Sequence, residues 1–264
     1  MRDCREEWYD PEKRVVVSIA DVTSATRDLV RGHLCGPTAA HYLAKALAAV
    51  SLLGAETEDE NETVVLQMKC TGPLGGSVTE CAGGGTLRGY TEKKTLDDFD
   101  GLGAPSDKKV LGETRIQVVR SLPGKILSQG VAESIGRYLS ESLQRKAVMW
   151  LEASVSDELE ILEARGVMAE AMPDSDYVVE GRELSGLGRA SRAMLKELGL
   201  GKAELRKTVP LSFGCRCSPE RAMATLAALS AEEAASLPET LDVTCHMCGR
   251  TYTVRPHGCG GTGR

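Results

Sequence analysis

The chain has 264 residues, with 32 basic and 38 acidic side chains and a formal charge of −6. That length builds one full domain core plus a small satellite module, and the acidic balance argues against nucleic acid as the main partner, since phosphate binding needs concentrated positive charge. The start, MRDCREEWYD, is charged and has no apolar h-region, and the longest apolar stretch, near residues 43–53, is broken by Lys45 and Ser51 and reads as too short to span a bilayer.

In chain order, residues 38–53 place apolar side chains at 40, 43, 47, 50 and 53, the spacing of a helix with one buried stripe. An acidic turn follows, then a strand over 63–68. Glycine clusters separate two further short strands, at 77–81 and 86–90. A strand fits 114–120, where Ile116 and Val118 alternate with polar neighbours, and a helix fits 128–146 through Val131, Ile135, Tyr138, Leu139 and Ser142. Residues 147–155 read as a strand leading into a helix over 157–165. Strand clusters followed by helices predict an α+β fold, helices laid on a mostly antiparallel sheet.

Residues 180–208 differ in character. Leu184, Leu187, Met194, Leu195 and Leu198 form one apolar helical face, but Gly181, Gly186, Gly188, Gly199 and Gly201 each weaken a helix there by up to about 1 kcal/mol. The expectation is a marginal helical linker that holds only while docked. Ser218-Pro219-Glu220 starts a helix, and Ser230-x-x-Glu233 is a capping box for another. Leu241, Val243 and Cys245 alternate, Gly249 turns, and Tyr252 and Val254 alternate back, so a hairpin carries its bend at 245–249.

The four cysteines of this last region carry the chemistry. Cys215 and Cys217 form a C-x-C, and Cys245 and Cys248 a C-x-x-C followed by Gly249. Four thiols paired at short range around a folded insert match the ligand count of a closed tetrahedral zinc site, one Zn2+ per chain. The segment 210–255 sums to −1, unlike a ribbon that grips nucleic acid. Nine cysteines in a chain read as lacking an export signal fit a reducing compartment, with cytoplasm the default. Four thiolates leave no open coordination position for hydrolysis, and no nucleotide-binding glycine motif opens a helix, so no enzyme activity is expected. His33 and His41 read as structural or surface residues, and His246 as pointing away from the metal. His257 and Cys259 are minor substitute ligands. Cys4, Cys35, Cys70 and Cys81 stand alone, as small buried hydrophobes usually do.

These residues bring a known family into view. Gly72-Pro-Leu-Gly75, Gly85-x-x-Arg88-Gly89-Tyr90 and Tyr138-Leu139-x-x-Ser142-x-Gln144 lie in the first part. Phe213-x-Cys215-x-Cys217-Ser218 and Cys245-x-x-Cys248-Gly249-x-x-Tyr252 lie in the second. Across roughly residues 38–254 the chain resembles the redox-regulated heat-shock chaperones of the thirty-three-kilodalton chaperonin family. The resemblance implies an N-terminal chaperone core over 1–175, a metastable helical linker over 176–208, a zinc-binding redox switch over 209–256 and a disordered tail over 257–264. It implies an ATP-independent holdase that binds unfolding client proteins, with Leu184, Leu187, Met194, Leu195 and Leu198 as client-binding residues. It also implies that oxidation gives Cys215–Cys217 and Cys245–Cys248 disulfides and releases zinc. The reduced form is then a monomer and the oxidised form a homodimer, with no nucleic-acid or membrane partner. The chain is short for that family, and Cys4, Cys35, Cys70, Cys81 and Cys259 are extra thiols that could join the exchange. Two other readings stand beside it: a binding module with a purely structural zinc, and a thiol–disulfide oxidoreductase using Cys245 and Cys248, which lacks a thioredoxin-like βαβ context.

Overall fold

A computed structural model describes residues 2–57, 59–101, 106–156, 158–226, 229–230, 232–233 and 236–256. The chain opens with a hairpin that sequence patterning did not reveal, β1 (Cys4–Asp10) and β2 (Val15–Asp21), followed by α1 (Thr23–His33) and α2 (Pro37–Leu53). Then come β3 (Thr63–Cys70), β4 (Gly76–Ala82), β5 (Thr86–Thr91), the single turn α3 (Asp107–Val110), β6 (Thr114–Leu122) and β7 (Lys125–Ala132). The turn α4 (Ile135–Arg137) leads to β8 (Lys146–Val155) and β9 (Ile161–Ala171), then α5 (Ser191–Glu197), β10 (Glu204–Pro210) and β11 (Ser212–Phe213). Last are α6 (Pro219–Leu226), β12 (Leu241–Thr244) and β13 (Thr251–Val254).

The strands form two large sheets, ordered β10-β1-β2-β9-β8 and β11-β5-β4-β3-β6-β7, with β12 and β13 as a separate hairpin. Every pairing is antiparallel except β11 on β5. The fold is α+β, as the sequence patterning predicts. The helix α2 lies between the sheets, against β8 and β9 on one side and β4 and β5 on the other. It is therefore buried on both faces rather than along one stripe, and Leu43, Leu47, Val50 and Leu52 have no exposed surface.

This helix corrects the sequence reading of its length. With the 3-10 turn that follows, Pro37–Glu56 spans 20 residues and by length and composition is apolar enough to cross a membrane, yet 78% of its apolar window is buried inside the protein. It is a core helix. Its start is held by Asp100, whose carboxylate accepts the Thr38 N–H at 3.0 Å, a negative charge at the positive helix end. At its other end Arg5, 1% exposed, donates to the Ser51 carbonyl at 2.7 Å.

Two expected helices are strands. Residues 128–146 begin as β7, because Pro123-Gly124 makes a turn (Gly124 φ 75°) that folds β7 back on β6, and only the short α4 and a π-turn at Tyr138–Ser142 are helical. There Tyr138 and Leu139 are buried, as the spacing required. In place of the helix expected over 157–165, residues 158–165 run into β9, since Ser156 closes a turn: its N–H donates to the Glu160 carbonyl at 2.8 Å and its hydroxyl accepts the Glu160 N–H; Asp157 lies outside the described residues.

The stretch 180–208 contains one short helix, α5, and ends in β10, an edge strand paired to β1. Its apolar residues cover the outer face of the first sheet. Leu187, Met194, Leu195 and Leu198 are buried against Trp8, Val17, Ile19 and Val167, with Leu184 packed beside them.

Candidate metal centre

The metal-capable residues sit where a knuckle and a short strand meet. β12 and β13 pair in register from Leu241↔Val254 to Thr244↔Thr251, leaving 245–250 as the bend. The bend closes through the Gly249 N–H to the Cys245 carbonyl at 2.8 Å and the Cys245 N–H to the Arg250 carbonyl at 2.9 Å. Gly249 adopts φ 74°, which a side chain disfavours. The C-x-C follows β11, whose register on β5 is Ser212↔Thr86 and Phe213↔Leu87. Beyond it the Ser218 hydroxyl accepts the Arg221 N–H at 3.2 Å, starting α6, and Ser230 and Glu233 exchange the two hydrogen bonds of a capping box.

The sulfurs of Cys215, Cys217, Cys245 and Cys248 all lie within 4.8 Å of one another. Cys215 and Cys245 are 3.8 Å apart and Cys217 and Cys248 3.5 Å. A tetrahedral ion with bonds of about 2.3 Å to sulfur separates its ligands by about 3.8 Å, so the four thiols fit such an ion. Proximity does not select a disulfide pairing, because sulfurs from different halves of the motif also lie close together.

The setting is electrostatically uneven. Burial raises the Cys215 thiol, but hydrogen bonds from the Cys217 backbone and the Arg88 guanidinium outweigh it and draw the pKa down to about 7. Burial pushes the Cys245 and Cys248 thiols up. The Tyr252 hydroxyl lies 3.2 Å from the Cys217 sulfur.

The module is seated on the first part of the chain. Cys248, 3% exposed, belongs to the main core. The Gly89 N–H donates to the Met247 carbonyl at 3.1 Å, and His33 Nε2 lies 2.9 Å from the Gly89 carbonyl. A methyl group on Gly249 would overlap the Gly32 carbonyl, and one on Gly32 would sit 2.6 Å from the Cys248 carbonyl. His246 turns its ring edge-on to Tyr90 at 5.9 Å, and His33 is a buried member of the docking surface. Arg88, Glu80, Arg216 and Gly32 join the site without having been singled out for it. Arg88 lies in the Gly85-x-x-Arg88-Gly89-Tyr90 run and Arg216 inside the C-x-C, while Glu80 and Gly32 carry no sequence signal of their own. His257 and Cys259 lie outside the described residues.

The family model described as Hsp33 protein matches residues 8–255. The chain belongs to the Hsp33 family. Hsp33 proteins are chaperones, and relatives named 33 kDa chaperonin include that of Symbiobacterium thermophilum, 29% identical over 267 residues (91% of this chain, 90% of the relative). The 33 kDa chaperonin of Thermus thermophilus is 28% identical over 274 residues, covering 91% of this chain and 80% of the relative. The crystal structure of the Hsp33 homologue from Thermotoga maritima shares the fold, with a TM-score of 0.78 at 17% identity over 97% of this chain and 96% of that one.

Cys4, Cys35, Cys70 and Cys81 are not part of the four-sulfur cluster. Cys35 and Cys81 are buried and Cys4 and Cys70 half-buried, all as free thiols. Burial raises each of their pKa values, that of Cys81 to about 11.

Proposed function

We propose that this chain is a redox-regulated, ATP-independent holdase of the cytoplasm, inactive while Cys215, Cys217, Cys245 and Cys248 hold one zinc ion. The observation that carries the reading is the convergence of four thiols within 4.8 Å on a module packed against the core. When bound, zinc keeps the sulfurs as thiolates and adds folding free energy, about 10–16 kcal/mol apparent in zinc-finger peptides.

Thiolates are what peroxides attack. Each pair of thiolates loses two electrons to one hydrogen peroxide, which takes up two protons and leaves as two waters, first through a sulfenic acid and then a disulfide. Four thiolates thus consume two peroxides and four protons, giving two disulfides, and the metal is no longer held. Cys215–Cys217 and Cys245–Cys248 are the proposed pairs, because the shortest loops cost the least closure entropy once the module loosens.

Residues 209–256 are the proposed switch, 176–208 the metastable linker and 1–175 the chaperone core. Loss of the switch frees β11 from β5 and, through the adjoining β10, loosens the linker. Leu184, Leu187, Met194, Leu195 and Leu198 then turn from packing to client binding. Each fully buried apolar side chain of this kind represents about 2 kcal/mol of burial, so their exposure makes an adhesive surface. That surface also favours a dimer of the oxidised form over the reduced monomer.

The test is zinc release under peroxide at elevated temperature, followed together with light scattering of a heat-unfolded client. Metal loss that coincides with suppression of aggregation supports the holdase. Retained metal, or loss without activity, returns the site to a purely structural role.

A further inference from the structure

Glu80 and Arg88 face each other as cross-strand partners on β4 and β5, both within the first part of the chain. Glu80 is 8% exposed and both its oxygens are occupied: Oε2 accepts from Arg88 at 2.7 Å and Oε1 from Arg216 at 2.7 Å. Arg216 is the residue between the two cysteines of the C-x-C. The other arm of Arg88 donates to the Cys215 sulfur at 3.8 Å. The Arg88 side chain is 16% exposed, and its Nε has no partner among the described residues. A guanidinium so placed needs anions around it.

We infer that Arg88 is the positioning residue through which the N-terminal core holds the cysteine centre by its charge, and that this hold is released when the thiolate charge is lost. The inference rests on the metal-centre part of the proposed function. Four thiolates around a divalent ion carry a net charge of −2, against a net +1 from Arg88, Arg216 and Glu80. Conversion to two disulfides by the peroxide reaction above takes the centre to zero. Arg88 then keeps Glu80 as its charged partner, and the C-x-C keeps the exposed Arg216 tie as its ionic one. Among the hydrogen bonds between the two parts recorded for the described residues, the charge-assisted N–H···S bond is the one whose strength depends directly on the state of the sulfurs.

The test uses the full chain loaded with cobalt(II), which reports thiolate ligation through its sulfur-to-metal charge-transfer band. In Arg88→Met the band is expected to shift, because a hydrogen bond to a ligating sulfur is gone. Transfer of the metal to a chromophoric chelator under reducing conditions is expected to quicken by about tenfold. Arg88→Lys, which keeps the charge, is expected to recover part of the transfer rate, a rescue that a merely structural role does not give. If Arg88→Met does not fold, Arg88→Gln decides, since it keeps a polar side chain but removes the charge, and a wild-type band and transfer rate in that variant overturn the inference. The same wild-type behaviour in a folded Arg88→Met also overturns it and leaves the holdase standing. A wild-type chain that takes up no cobalt overturns both.

Discussion

The Glu152 carboxylate accepts the backbone N–H of Leu187 at 2.6 Å, while Arg165, its cross-strand partner on β9, donates to the Leu187 carbonyl at 3.1 Å. Two neighbours across the first sheet thus grip both polar groups of one residue, Leu187, whose side chain is buried. Hydrogen bonds to charged groups contribute about 1.5–3 kcal/mol each. Glu152→Ala is therefore expected to speed proteolytic cleavage within 178–200 of the reduced protein by roughly tenfold, with the far-ultraviolet spectrum unchanged. Cleavage at the wild-type rate would show that apolar packing alone holds the linker.

Removing that packing is the complementary experiment. Leu195 is 1% exposed at the centre of the second apolar cluster. Leu195→Ala leaves a cavity costing about 2–5 kcal/mol, more than the proposed metastable linker is expected to absorb. The reduced, metal-loaded variant is expected to bind a hydrophobic dye and to slow client aggregation without oxidant. A silent variant would detach the linker from client binding.

Gly249 is at a left-handed φ, and its Cα faces the Gly32 carbonyl. Gly249→Ala therefore combines backbone strain with a steric overlap against backbone, which cannot rotate away. The hairpin is expected to fold and take up metal but to dock poorly, lowering the thermal midpoint by several degrees and exposing β5 amides to hydrogen exchange. Unchanged exchange at Gly89 would contradict the docking geometry.

Peroxide should act selectively among the thiols. Burial raises Cys4, Cys35, Cys70 and Cys81, so few of them are thiolates near neutrality, whereas the proposed bound zinc would hold the cluster sulfurs as thiolates despite the burial of Cys245 and Cys248. Peptide mapping after limited peroxide is expected to find disulfides only among Cys215, Cys217, Cys245 and Cys248. A mixed disulfide with Cys4 or Cys70, the half-buried pair, would break that expectation.

His33 gives a pH signature. Burial and the nearby Lys94 lower its pKa to about 4, with His246 the other titratable neighbour and the Gly89 and Met247 carbonyls acting in the opposite sense. In the unfolded chain its pKa is about 6.5, so the unfolded state binds more protons between those values. The stability it contributes is full above about pH 6.5 and is lost as pH falls towards 4. His33→Gln is expected to flatten the thermal midpoint across that window relative to wild type, the difference cancelling the pH dependence of metal binding itself.

Where one residue type suffices for a function, the sequence was readable. Four thiols at fixed spacing pointed to the metal cluster, and the alternation around Gly249 pointed to its hairpin. The helix α2 was legible too, although its burial on both faces was not, because an all-round apolar helix and a striped one differ only once a second sheet is present. Strand β1 is hard to read because charged residues such as Arg5 and Glu6 fill its pattern, and Arg5 is buried with the Ser51 carbonyl and the Glu7 carboxylate as partners; β2, VVVSIAD, is an apolar run whose periodicity alone does not separate a strand from a buried helix. The Pro123-Gly124 turn signal was outweighed by helical spacing that belongs to a few residues beyond it. Arg88 and Glu80 became recognisable as parts of the site only when β4 and β5 were set beside the C-x-C.

The glycines at 32 and 249 have one more implication. Two backbones pass so closely there that neither position has room for a side chain, and the two stand 217 positions apart in the sequence. A descendant of this chain that gained a side chain at one would need to shift the whole knuckle outward, so the two glycines are expected to be kept together or replaced together.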